Sequence, residues 1–210
     1  INVVTVQDTM FSLSFKQLIK TLFSRVLYHR YFNSFWGVGI MQTRFAKSIG
    51  YKEKNIKTGF YVADEIFFKN KREINFKGVN NFNFLYVGRL VKEKNIIKAA
   101  KVIEQINLNN KSQHKLILIG QGYLLQKLKK FNCIKYLGLK TQYEIIQIVE
   151  NSHAFILPSR YEPWGVVVHE MTAVGMPVLV SNKSGSSYDL VIDGYNGFKF
   201  NPNSFKSMYN

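Results

Sequence analysis

Beyond Phe82 the chain alternates short runs of apolar residues with stretches whose apolar positions recur every three or four residues. The runs Phe84–Val87, Leu116–Ile119, Ile134–Leu137, Ala154–Leu157, Val178–Val180 and Phe198–Phe200 predict strands. The intervals Asn95–Ile106, Leu124–Lys130, Tyr143–Val149, Val166–Val174 and Tyr188–Ile192 predict helices. In the first of these, Ile96, Ile97, Ala100, Ile103 and Ile106 recur at helical spacing. Strands that are apolar throughout suit a parallel sheet covered by helices on both faces. The alternation therefore specifies a doubly wound α/β fold, with any ligand at the carboxyl ends of its strands.

The first 80 residues are less regular. Asn2–Val6 reads as a strand, followed by a basic amphipathic helix over Phe15–Tyr31. Phe15, Leu18, Ile19, Leu22, Val26 and Leu27 form its apolar stripe, with Lys16, Lys20, Arg25 and Arg30 between them. Such a stripe either packs on a sheet, its commoner use, or lies on an anionic membrane. A strand near Phe35–Ile40, a helix near Gln42–Ser48 and a strand near Ile56–Val62 follow. Residues 65–81 mix charge, Asn and Gly without periodicity and read as a linker. The chain opens without Met and directly in a strand, and Asn201–Asn210 stop where another helix is due. A fragment of a longer protein is the expectation.

Composition narrows the classes. With 46% hydrophobic and 15% aromatic residues, the chain can fill a sizeable core. No apolar run approaches the roughly 18 residues that span a bilayer, and no signal peptide is evident. Cys133 is the single cysteine, which removes internal disulfides and cysteine metal clusters, and a reducing, cytoplasmic setting fits best. The formal charge of +16 is spread: residues 1–80 hold thirteen Lys/Arg against five Asp/Glu, and residues 81–210 sixteen against eight. No long basic block or zinc-finger spacing occurs, so nucleic acid is not an expected partner. A solvated surface is the first reading of the charge, and attraction to an anionic membrane the second.

Candidate chemistry lies in two loops. After the Phe84–Val87 run, Gly88 permits close backbone approach, and Arg89 and Lys94 follow just before a helix. Two cations there can bind a diphosphate and stabilise it as it departs. After Ala154–Leu157, Glu162 stands in a loop and Glu170 follows eight residues later on the next helix. Pro163 favours extended backbone at Glu162, and Gly165 leaves N–H groups open at the helix entrance. Carboxylates repel phosphate, so their natural partners are sugar or ribose hydroxyls. Gly120-Gln121-Gly122 is not the dinucleotide fingerprint, because Leu125 stands where its third glycine belongs. The four histidines lack metal-ligand spacing, and His169 beside Glu170 reads as structural. No Asp-x-Asp pair is present for a metal-clamped nucleotide sugar.

These segments together resemble the GT-B glycosyltransferases of the group-1, or family-4, type. The resemblance rests on Phe84-Leu-Tyr-Val-Gly-Arg-Leu-Val-Lys-Glu-Lys94, Leu118-Ile-Gly-Gln-Gly122, Tyr136-Leu-Gly138, Leu157-Pro-Ser-Arg-Tyr-Glu-Pro-Trp-Gly165 through Glu170, and Asp193-Gly-Tyr-Asn-Gly-Phe198. It implies the end of a Rossmann-like acceptor domain over residues 1–66, a linker over 67–81 and a nucleotide-sugar donor domain over 82–210, incomplete at its C-terminus. It further implies transfer of a sugar from a UDP- or GDP-sugar to a glycan or lipid-linked acceptor, with retention of configuration and no metal or other cofactor. In that reading Arg89 and Lys94, with Gly165, take the diphosphate. Glu162 and Glu170 are the catalytic E-x7-E pair, near donor sugar and ribose. The backbone at Trp164–Val166 lines phosphate and sugar, and Gly120 and Leu137 meet the base. Surface polysaccharide or lipopolysaccharide synthesis at the cytoplasmic face of a membrane is the implied setting. Ser184–Asp189 departs from the family's Gly-rich segment ending in Glu. Two alternatives stand: a GT-B-fold sugar-nucleotide epimerase, and a non-catalytic basic module for anionic lipid or nucleic acid.

Overall fold

The computed structural model describes residues 3–7, 9–11, 14–70, 76 and 78–209. Strands β1 (Val4–Gln7), β2 (Ser34–Val38) and β3 (Ile56–Gly59) form a parallel sheet in that order. Asn2, where the first predicted strand begins, lies outside the described residues. Helix α1 (Phe15–Leu22) is capped by Ser14, and a wider π-type turn covers Arg25–His29 beyond a break at Phe23. Helix α2 (Ile40–Ser48) follows β2. Phe35, Phe45, Ile49 and Tyr51 fill the small core beside this sheet.

The orientation of α1 differs from that of a helix laying its apolar stripe on a sheet. Gln17 is turned inward, where its amide donates to the Met10 carbonyl, while Phe15 and Leu22 are 75% and 72% exposed. Periodicity reveals that a helix is two-faced, not which face is covered. The predicted linker also holds structure. Asp64 accepts from the Ile66 amide (3.0 Å) and opens α3 (Glu65–Lys69), whose Phe67 is fully buried in the second core. One turn and a half is too short to show a period. Residues 71–75 and 77 of that linker lie outside the described residues.

The second sheet carries β4 (Asn83–Val87), β5 (Lys115–Ile119), β6 (Ile134–Gly138), β7 (Ala154–Leu157), β8 (Val178–Ser181) and β9 (Gly197–Phe200). Its order is β6-β5-β4-β7-β8-β9, every pair parallel. Between the strands run α4 (Ile96–Asn110), α5 (Leu125–Leu128), α6 (Gln142–Glu150), α7 (Val166–Ala173) and α8 (Ser186–Leu190), and α9 (Phe205–Tyr209) comes last. This is the doubly wound, Rossmann-like arrangement expected from the alternation of patterns. Helix α4 runs four residues past its predicted end, to a left-handed Lys111 (φ 51°). Leu85, Tyr86, Leu116, Leu118 and Phe155 are fully buried, each such side chain contributing about 1.5–3 kcal/mol. Cys133 belongs to this core, and burial pushes its thiol up to about 12, so it acts as a small hydrophobe.

Candidate functional site

The strand order reverses between β4 and β7, and a crevice opens outside the carboxyl ends of strands at such a point. Two loops rise from those ends. In the loop after β4, the buried Tyr86 hydroxyl donates to the Arg89 carbonyl (2.8 Å) and pins the turn from below. Burial, then the Glu162 charge, pushes the Tyr86 phenol far above its ordinary value, so it remains a donor. A short 3-10 turn, Lys92–Lys94, then delivers Lys94 inward, and Asn95 enters α4 in a left-handed conformation (φ 56°).

The loop after β7 is braced from the neighbouring strand. The Glu162 amide donates to the Lys183 carbonyl (2.9 Å), and the Glu162 carbonyl accepts from Gly185 (3.0 Å). Glu162 is therefore in extended backbone, bridged to Ser184, as a residue before proline favours. The Ser184 hydroxyl donates to the Trp164 carbonyl (2.8 Å), and Ser184, Ser186 and Ser187 are fully buried. Small hydroxyls here satisfy loop carbonyls that larger residues would displace. Gly165 has φ 90° and starts α7, where a Cβ would lie 3.0 Å from Glu162 Cγ. Only glycine turns the chain there without strain.

The two loops border an open cavity of about 340 Å3, lined by Gly88, Arg89, Lys94, Glu162, Gly165, Val166 and Glu170, among others. Six of the nine sequence-predicted residues thus meet in one space: Arg89, Lys94, Glu162, Gly165, Val166 and Glu170. Lys94 Nζ is ion-paired with Glu162 Oε2, both side chains being nearly buried, and the Ser159 hydroxyl lies 3.4 Å from the same oxygen. Arg89 is exposed and pairs with no carboxylate among the described residues. Burial, with the Asp64 charge second, raises the Glu170 carboxyl above its ordinary value. One held and one exposed cation, an α7 N-terminus and two carboxylates of unlike environment suit a ligand bearing both anionic groups and hydroxyls.

The other three predicted residues stand apart from that cavity. Gly120 closes on the β4 turn, a Cβ there falling 2.0 Å from the Gly88 carbonyl oxygen, and its amide donates to Gly138 (2.8 Å). Leu137 is half-buried near the end of β6, two strands away from β4. Trp164 is 2% exposed and turns its ring away, stacking on Phe60 (5.2 Å) against the Gly39 backbone of the first sheet.

Several contacts sequence reasoning missed lie between the sheets. The Asp189 carboxylate accepts from the Ile40 amide (3.1 and 3.2 Å) at the start of α2, and the Gln42 amide donates to the Pro163 carbonyl. The Ala63 amide donates to His169 Nδ1 (3.3 Å), which gives that histidine the structural place expected of it. Tyr86 carried one usable signal: a buried tyrosine needs an acceptor for its hydroxyl.

Residues 67–209 match the family of glycosyl transferases group 1. The chain belongs to that family. Among its relatives, an uncharacterised glycosyltransferase of Methanocaldococcus jannaschii is 33% identical over 66% of this chain and 42% of its own length. The UDP-Gal:alpha-D-GlcNAc-diphosphoundecaprenol alpha-1,3-galactosyltransferase of Escherichia coli is 31% identical over 62% and 35%. The capsular polysaccharide biosynthesis glycosyltransferase CapM of Staphylococcus aureus is 30% identical over 66% and 38%. The chain thus matches about two fifths of the length of these group 1 relatives. In structure, HepE of Anabaena in complex with UDP superposes with a TM-score of 0.77 at 20% identity, over all of this chain and 61% of that one. The lipopolysaccharide outer core galactosyltransferase WaaB in its apo form gives 0.73 at 17%, over 86% and 52%. At such identities the likeness establishes the fold, which is of the GT-B type.

Proposed function

We propose that the protein transfers a sugar from a nucleotide-diphospho-sugar to a glycan or lipid-linked acceptor during synthesis of surface polysaccharide or lipopolysaccharide. The observation that carries this reading is the convergence of Arg89 and Lys94 with Glu162 and Glu170 in one cavity at the β4/β7 switch. The diphosphate lies against Arg89, Lys94 and the amides beyond Gly165, where negative charge growing on the leaving oxygen is stabilised as the sugar C1–O bond breaks. Glu170, on the same helix face as Val166, accepts from ribose hydroxyls. Glu162 accepts from hydroxyls of the donor sugar, its carboxylate aimed by Lys94 and Ser159. Each such charge-assisted hydrogen bond is worth about 1.5–3 kcal/mol.

In this reading the acceptor oxygen bonds to C1 on the face the diphosphate leaves, with retention, passes its proton to the departing phosphate oxygen, and needs no metal. Among relatives and structural neighbours of this chain are a UDP-Gal galactosyltransferase named for a diphosphoundecaprenol acceptor, a capsular polysaccharide glycosyltransferase, and HepE in complex with UDP or UDP-glucose, which supports the donor and acceptor classes. The exposed apolar face of α1, with Lys16 and Lys20 beside it, supports docking of the acceptor-side sheet on an anionic membrane. No described helix is long and apolar enough to cross one. Sedimentation with phosphatidylglycerol vesicles should deplete the protein, and Phe15→Ser/Leu22→Ser should keep it in solution.

The central test is sugar release from UDP- and GDP-sugars by the intact protein, with and without EDTA. Turnover that survives the chelator and falls at least tenfold in Glu170→Gln supports the proposal. Turnover unaffected by that substitution contradicts it. Conversion of the sugar without any acceptor or hydrolysis would point instead to an epimerase.

A further inference from the structure

A second cavity, of about 640 Å3, shares the Lys92–Asn95 turn with the site above but none of its lining residues. Among the described residues five cations line it, Lys92, Lys98, Lys101, Lys127 and Arg160, and no carboxylate does. Lys98 Nζ is held by the Pro202 and Asn203 carbonyls (3.2 and 2.7 Å). The other four pair with no carboxylate among the described residues. Lys98 and Lys101 stand three residues apart on α4, where like charges repel. A concave surface of one sign concentrates counter-ions of the other.

The walls are braced rather than loose. The Asn95 side chain, 5% exposed, donates to the Pro202 carbonyl (3.0 Å) and fixes the segment entering α9 against the start of α4. The Lys92 amide donates to the Tyr123 hydroxyl (3.0 Å), which holds that ring at the rim. Phe205, Ile97 and Leu124 add apolar surface.

We propose that this cavity binds a small organic anion carrying two or more phosphate groups on a sugar-sized scaffold. Two phosphate monoesters, each about −1.5 to −2 at neutral pH, offset most of the charge on the five cations. The scaffold ring rests on Tyr123 and Phe205. The volume falls within the roughly 300–1,000 Å3 of ordinary small-molecule sites.

The test is calorimetric titration of the 210-residue chain with fructose 1,6-bisphosphate, beside a Lys101→Ala/Lys127→Ala variant. Both lysines are exposed, so the variant should melt as the parent does. The bisphosphate should bind the parent, weaken with added salt, and lose at least tenfold in affinity in the variant, while affinity for UDP stays within twofold. Absence of binding to the parent, or equal binding by both proteins, overturns the proposal. Equal loss of UDP and bisphosphate in the variant also overturns it, since both ligands would then share one site. A chain that ignores UDP altogether yet binds the bisphosphate through these lysines refutes the transferase reading and leaves this site standing.

Discussion

The Lys94–Glu162 ion pair makes a quantitative claim about the cavity. Its side chains are 14% and 13% exposed, and Glu162 Oε2 has, besides Lys94, only the weak Ser159 contact at 3.4 Å among described side chains. Lys94→Met strips the ammonium and leaves a nearly buried carboxylate. Breaking a buried pair this way costs about 3–5 kcal/mol, and the residual exposure argues for the lower end. Replacing both partners, Lys94→Met/Glu162→Gln, leaves no orphan charge and should cost only about 1 kcal/mol. Since Lys94→Met alone costs about 2 kcal/mol more than the double substitution, a urea-denaturation double-mutant cycle predicts a coupling of at least roughly 2 kcal/mol between the positions. Additivity of the two single losses to within about 0.5 kcal/mol would refute the reasoning. The same pair sets a condition for binding: an incoming diphosphate must share Lys94 with Glu162, whereas Arg89 pairs with no carboxylate among the described residues and can receive it directly.

The remaining predictions follow from single contacts. Glu170 is held above its ordinary pKa, so the folded state takes up its proton more readily than the unfolded one. Stability from this group is present below its unfolded value and is lost as pH rises through the folded one. Glu170→Gln should flatten that decline in pH-dependent melting and stabilise the neutral-pH protein while weakening donor binding; an unchanged slope would remove Glu170 as its source. Gly165→Ala, at φ 90°, should cost about 1–3 kcal/mol in denaturant titration, and a neutral result would mean that the entry to α7 is not strained. Asp189→Ala removes the acceptor at the Ile40 amide and should cost about 1 kcal/mol, read as a lower melting point and faster hydrogen exchange at that amide.

The fold of the second sheet was legible because its signals are local and redundant. Runs such as Leu116–Ile119 are too short for helices and too apolar for loops, and each is followed by glycine, proline or a polar residue. The meeting of Arg89, Lys94, Glu162 and Glu170 was also legible, since parallel topology puts successive loops on one edge. What stayed hidden depends on direction rather than pattern. Nothing local says that Gln17 rather than Phe15 faces inward, or that Trp164 turns towards Phe60 and away from the cavity. Nor can spacing show that Asp189 reaches Ile40, 149 residues away in sequence. Helix α3 escaped notice because its stability comes from burying Phe67 and not from its own length.

The most direct measurement is a crystal structure of the protein with UDP or GDP bound. The diphosphate should lie between Arg89 and Lys94 at the end of β4, over the start of α7, with the ribose hydroxyls against Glu170. A nucleotide bound anywhere else, leaving Lys94 and Glu162 paired around an empty cavity, would contradict it.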